Sequence, residues 1–129
     1  MNVLALLAGV LTIAAFGVHA GVGAREFRQF APPVDDSSAR TAWVQALSGW
    51  HWVSLDLLGT GIVFVVIGLA DVIPDEPTVL LVLSGYFALT GLAWLGTVTV
   101  AGGDVPKRFV ALGQWMFCFL VAALAFGAQ

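Results

Sequence analysis

The chain has 129 residues, of which 60% are hydrophobic and only 10% charged. A soluble domain usually carries about a quarter charged residues, so the apolar surplus must face lipid and little chain is left for a separate soluble domain. The net charge of −3 comes with just five basic residues, too few for a nucleic-acid surface, and the single cysteine, Cys118, excludes an intrachain disulfide.

Four apolar runs follow in chain order, over residues 3–22, 50–73, 78–101 and 109–128. Each is near the ~20 residues that a helix needs to cross a hydrocarbon core of about 30 Å. Each is continuously apolar, which points to helices; a lipid-facing barrel strand would alternate. The expected fold is therefore all-α: an integral membrane four-helix bundle, antiparallel and up-down, forming one transmembrane domain over 1–129. The connections are residues 23–49 and 102–108, plus a tight loop between the second and third spans.

In the first run, Val18-His19-Ala20 imitates a signal-peptide cleavage site. However, Met1-Asn2 offers no positive n-region and arginines follow directly, so a retained helix is expected. That helix should continue to about Phe30, because nothing breaks it before Pro32-Pro33. Asp36-Ser37-Ser38 supplies an N-cap for a second helix that starts well before its apolar part. Trp43, Leu47 and Trp50 on one face of that early stretch suggest a segment lying near the membrane interface. Pro74 and Pro77 stop the second span and restart the third. Gly102-Gly103 ends the third, and Pro106 stands where the fourth helix begins.

Charge sets the orientation. Arg25, Arg28 and Arg40 lie in the first connection and Lys107 and Arg108 in the last, whereas the connection between the second and third spans holds only Asp71, Asp75 and Glu76. Basic residues are retained in short cytoplasmic loops, so both basic connections are expected inside and both ends outside.

Helix association in lipid needs small residues in close contact and interhelical hydrogen bonds. Ala5, Ala8, Thr12, Ala15 and His19 share one face of the first helix. Ser54, Gly61 and Gly68 share one face of the second, with His51 one turn from Ser54. These faces are expected to meet and to bring His19 close to His51. Tyr86, Thr90, Ala93 and Thr97 form the expected inward stripe of the third helix, and Gln114, Cys118, Val121 and Ala125 that of the fourth.

Ionisable groups in a span cost roughly 2.5–3.5 kcal/mol at the bilayer centre. Asp56 lies roughly 9 Å into the second span by helix rise, and Gln114, Trp94 and Thr97 lie at comparable depth. With His19 and His51 they form an expected polar layer in the cytoplasmic third. Asp56 is about 140° around the helix from His51 and should look toward the third or fourth helix. Three readings of this layer stay open. One is a hydrogen-bonded network fixing helix register. Another is a cofactor site in which His19 and His51 ligate haem iron or a transition metal. The last is a proton or ion path through Asp56. Arg25, Glu26 and Arg28 could hold lipid headgroups or another anion, or simply anchor the helix by charge. The tryptophans mostly sit near cytoplasmic ends, as an aromatic belt requires.

The segment His19-Ala20-Gly21-Val22-Gly23-Ala24-Arg25-Glu26, followed by Trp50-His51, resembles a group of small bacterial four-span membrane proteins. In that group a helix-one histidine precedes a Gly-x-Arg-Glu segment and a Trp-His pair opens helix two. The resemblance covers the first two helices, and the sequence departs from it at Phe27-Arg28-Gln29-Phe30-Ala31-Pro32. It singles out His19, Arg25, Glu26 and His51, implies a bacterial inner membrane, and supplies no reaction. The expected role is a non-catalytic accessory or structural subunit whose partners are the lipid bilayer, a second copy or a larger membrane complex. The rival classes are a haem- or metal-binding redox protein and an ion-coupled transporter.

Overall fold

A computed structural model of the chain describes residues 1–101 and 105–129, and every described element is helical. Helix α1 (Val3–Val18) runs through a π-helical turn (His19–Gly23) into α2 (Ala24–Arg28). Then come α3 (Ser37–Leu69), α4 (Glu76–Val100), α5 (Val105–Ala111) and α6 (Gln114–Gly127). Three stretches, Val3–Arg28, Ser37–Leu69 and Glu76–Val100, are long and apolar enough to cross a membrane.

The helix ends follow the local chemistry of the sequence. Asp36 caps α3, its carboxylate accepting the Ala39 N–H at 3.0 Å. The 33 residues of α3 span about 50 Å at 1.5 Å per residue, so this helix outruns a 30 Å hydrocarbon core. It stops at Leu69, four residues short of the expected end, where Ala70 is extended. Asp75 then takes a left-handed conformation (φ 56°) and α4 starts with Pro77 in its first turn, where the missing N–H costs nothing.

The fourth run departs from a single span over 109–128. It breaks at Leu112-Gly113, and α6 keeps 14 residues, about 21 Å of helix. Glycine at the break has little helical preference, and Lys107 and Arg108 belong to the short α5 before it. The expected Gly102-Gly103 stop lies outside the described residues.

Neighbouring helices follow the order α3, α1, α6, α4. The α1–α3 contact is nearly backbone to backbone. A Cβ added at Gly9 would come within 2.8 Å of the Val65 nitrogen, and one at Gly68 within 2.8 Å of the Leu6 Cα. One at Gly61 would meet the Ile13 side chain at 2.7 Å and its backbone nitrogen at 3.2 Å. Helix α3 meets α1 on its expected face, through Ser54, Gly61 and Gly68, but α1 answers with Leu6, Gly9 and Ile13 and, of its expected stripe, with His19; Ala5, Ala8 and Thr12 are buried. On the other side Ser84 of α4 donates to the Ala122 carbonyl of α6 at 2.9 Å, and Gly91 lies against Cys118 and Phe119. Phe64, Phe87, Leu80 and Val121 fill the space between these pairs.

Asn2 joins three helix ends. Its Oδ1 accepts the Ala5 N–H at 3.2 Å, its Nδ2 donates to the Ala128 carbonyl at 2.7 Å, and its backbone N–H donates to the Gly68 carbonyl at 3.0 Å. One side chain thus satisfies an orphan donor of α1 and a terminal carbonyl of α6.

The inward face of α4 is not the expected one. Leu80, Ser84, Phe87, Gly91 and Val98 are buried, whereas Tyr86, Thr90, Ala93 and Thr97 are exposed. The two stripes have the same period and differ only in phase, and the bulky, well-packing set wins the interior. On α6, Cys118, Val121 and Ala125 are buried as expected, while Gln114 is exposed.

Candidate functional site

Two groups of polar and aromatic side chains stand out against this apolar background. The first lies where α1 gives way to the π turn. In that turn the Ala24 N–H reaches back five residues to the His19 carbonyl, which also accepts the Trp50 indole N–H at 3.1 Å. Trp50 lies flat on the imidazole of His19, with centroids 4.1 Å apart and planes 11° from parallel. Gly23 is required here, since a Cβ would meet the Trp50 ring at 2.5 Å.

His19 Nδ1 is 3.0 Å from Ser54 Oγ, and Ser54 Oγ is 3.1 Å from the Trp50 carbonyl. The single hydroxyl proton goes to that carbonyl, so Nδ1–H is the donor to Ser54. In the neutral ring this leaves the lone pair on Nε2. Such a hydrogen bond fixes the tautomer in the way that outer-shell partners fix ligating histidines.

The stack continues outward from Trp50. Phe27 of α2 lies 5.3 Å from Trp50 and 6.2 Å from Trp43, and the Arg40 guanidinium sits over Trp43 at 5.5 Å while donating to the Pro32 carbonyl. These rings fasten α2 to the start of α3. The Trp43 indole nitrogen is buried and has no hydrogen-bond partner among the described residues.

His51 is not part of this stack. It is exposed, and no hydrogen bond or ring contact joins it to His19 among the described residues. Of the neighbouring pair Trp50-His51, the larger flat ring takes the place against His19, and one residue further along a helix points about 100° away. The face that carries Ser54 therefore carries Trp50 rather than His51.

The second group lies on the outside of the α3–α4 edge. Asp56 is exposed, and its Oδ2 accepts the Tyr86 hydroxyl at 3.3 Å. Thr60 and Thr90 bond back to the Asp56 and Tyr86 carbonyls at 2.6 and 2.8 Å, so their hydroxyls leave the carboxylate alone. Asp56 does look to the third apolar helix, as its offset from His51 requires.

The remaining members of the expected polar layer are dispersed. Trp94 donates to the Leu112 carbonyl at 3.2 Å and so ties α4 to the break before α6. Thr97 is exposed and bonds back to the Ala93 carbonyl, and Gln114 is exposed at the start of α6. Arg25, Glu26 and Arg28 are all exposed; the first two line an open groove of about 400 Å³ with Gly21, Val22 and Gln29. Among the described residues no three His, Cys, Asp or Glu side chains gather within metal-binding reach.

Asn2, Phe27, Trp50 and Tyr86 were not singled out as site residues in the sequence. Asn2 had a readable signal, an N-cap residue directly before an apolar run. Trp50 carried only the signal of an interfacial stripe and of a place beside His51, Tyr86 only that of an expected inward stripe, and Phe27 in the first connection carried no signal of its own. Comparison with protein-family models, curated proteins and solved structures finds no match for this chain.

Proposed function

We propose that this chain is a multi-pass protein of a bacterial inner membrane and serves as a non-catalytic accessory or structural subunit. It acts through helix contacts with a second copy or a larger complex. Four apolar helices cross the bilayer, with both basic connections in the cytoplasm and both ends outside. Arg25 and Arg28 lie level with the inner headgroups, where anionic lipid favours them.

One observation carries the reading. The buried polar side chains Thr12, Ser54 and Ser84 all make hydrogen bonds within the fold, while Asp56, Tyr86 and Thr90 are turned outward. Intramembrane polar groups usually face the interior of a bundle. Facing outward, they suit contact with another protein better than a path through the interior. Cross-linking in native membranes and native mass spectrometry test this: an oligomer or a stoichiometric partner is expected, and a strict monomer that co-purifies with nothing overturns it. The topology has its own test. In a Cys118→Ala background, Gln129→Cys should label from outside and Lys107→Cys only from the cytoplasm; labelling from one side refutes the arrangement.

The Ser54–His19 hydrogen bond favours a second reading, in which Nε2 of His19 ligates a haem iron or transition metal. An absorption spectrum with elemental analysis decides it. A Soret band or bound metal that disappears in His19→Ala supports ligation, and a spectrum with neither refutes it.

A further inference from the structure

We propose that the outer α3–α4 edge docks a transmembrane helix of a partner protein that carries a lysine or arginine at the depth of Asp56. The proposal rests on the reading of the chain as a membrane subunit, and it specifies the partner's chemistry.

Three features of the edge support it. The first is depth. Asp56 lies 13 residues before the end of α3, and Tyr86 lies 10 residues after the start of α4. By helix rise these are about 20 Å and 15 Å from the outer ends, well inside a 30 Å hydrocarbon core. The second is incomplete satisfaction. An ionised carboxylate has about four acceptor positions, and the long bond from Tyr86 fills one of them. The third is shape. Gly59 stands one turn beyond Asp56 with nothing within 4 Å of a Cβ added there, so a helix backbone could approach closely. Exposed Leu89 stands one turn beyond Tyr86 on α4 and gives the edge an apolar flank.

The complement must come from another molecule. All five lysines and arginines of the chain belong to the connections between the spans, so a second copy presents a like charge to Asp56 rather than an opposite one. A cation in a partner helix has the same need: in lipid it is as costly alone as Asp56 is, and pairing satisfies both.

The test uses the full-length protein in vesicles with fluorescent model helices, each of about 24 leucines and one with a central lysine. By energy transfer, the lysine helix should associate about tenfold more tightly than the all-leucine helix, in line with interhelical polar pairs in membranes. Asp56→Asn should reduce it to the all-leucine level, and Asp56→Glu should keep most of the preference, which shows that the variants still fold. Equal binding of the two helices by the wild type overturns the proposal. So does self-association of the wild type that Asp56→Asn abolishes, because the occupant is then a second copy. A native complex left intact by Asp56→Asn also overturns this assignment while leaving the broader subunit reading standing; a strict monomer removes that reading too.

Discussion

The two faces of α3 solve the problem of association in opposite ways. Toward α1 it offers Ser54, Gly61 and Gly68, and the two backbones lie so close that even a methyl group has no room. Toward α4 it offers Phe64 and Asp56, and among the described residues the helices meet through side chains: ring centroids 6.1 Å apart and a 3.3 Å hydrogen bond. In lipid, where apolar burial gives no net drive, the first face gains from dispersion over a long smooth contact. The second is held loosely and leaves a polar group outside. One helix thus has a permanent side and an available side.

The sharpest way to break that comparison is a pair of glycine substitutions. Gly68→Ala puts a Cβ within 2.8 Å of the Leu6 backbone and must push α1 away from α3, so a loss of about 2–3 kcal/mol is expected in detergent unfolding titrations. Gly59→Ala meets open space inside α3 and gains the better helix former, so it should leave stability unchanged or raise it by up to about 1 kcal/mol. Equal effects from the two would mean that the faces do not differ in the way described.

A smaller effect is expected at the far end of the permanent side. Asn2→Ala removes the α1 cap and the bond to Ala128, and leaves a terminal carbonyl of α6 without that donor. Loss of a cap and one further hydrogen bond amounts to about 1–2 kcal/mol. Faster hydrogen exchange should follow at the amides of Val3 to Ala5 and should not extend to α4.

The two histidines of the sequence supply the next contrast. His19→Ala removes the bond to Ser54 and the stack on Trp50, which together are worth about 1 kcal/mol. Hydrogen exchange across residues 24–50 should rise, because Trp50 and Phe27 lose the ring that anchors their stack. His51→Ala, at an exposed position, should leave the same amides unchanged. A matching response from the two variants would place both rings in the stack.

The permanent side was legible in the sequence and the available side was not, for a physical reason. Small residues at three- and four-residue steps mark close helix contact whatever the solvent, so Gly61 and Gly68 could be phased toward α1, and Ala5, Ala8 and Thr12 could be phased inward, although Leu6, Gly9 and Ile13 make the closest contacts. The stripe Tyr86-Thr90-Ala93-Thr97 looked inward because small and polar residues are expected at helix contacts in lipid, where they find hydrogen bonds. In lipid a leucine serves either face, and α4 settled its phase by packing Phe87 and Leu80 against Phe64 and Val121. At Trp50-His51 the difficulty was finer: a choice between adjacent residues turns on ring size and on the open carbonyl of a π turn. The π turn left no clear mark in the sequence beyond glycines at Gly21 and Gly23.

The finest distinction concerns Trp43, at the outer end of the aromatic stack. Its ring contributes, since it lies parallel to Phe27 and beneath Arg40, whereas its indole N–H is buried without an acceptor. A buried donor left unpaired costs about 1–3 kcal/mol, and losing the larger ring area of tryptophan costs a similar amount. Trp43→Phe keeps a flat ring, removes the unpaired donor, and should therefore shift stability by no more than about 1 kcal/mol in either direction. Trp43→Ala discards the ring as well and should free α2 from α3, read as rapid exchange at Ala24 to Arg28. If phenylalanine proves as damaging as alanine, the indole nitrogen has a partner from outside the described fold, and the surface beside Arg40 is where to look for it.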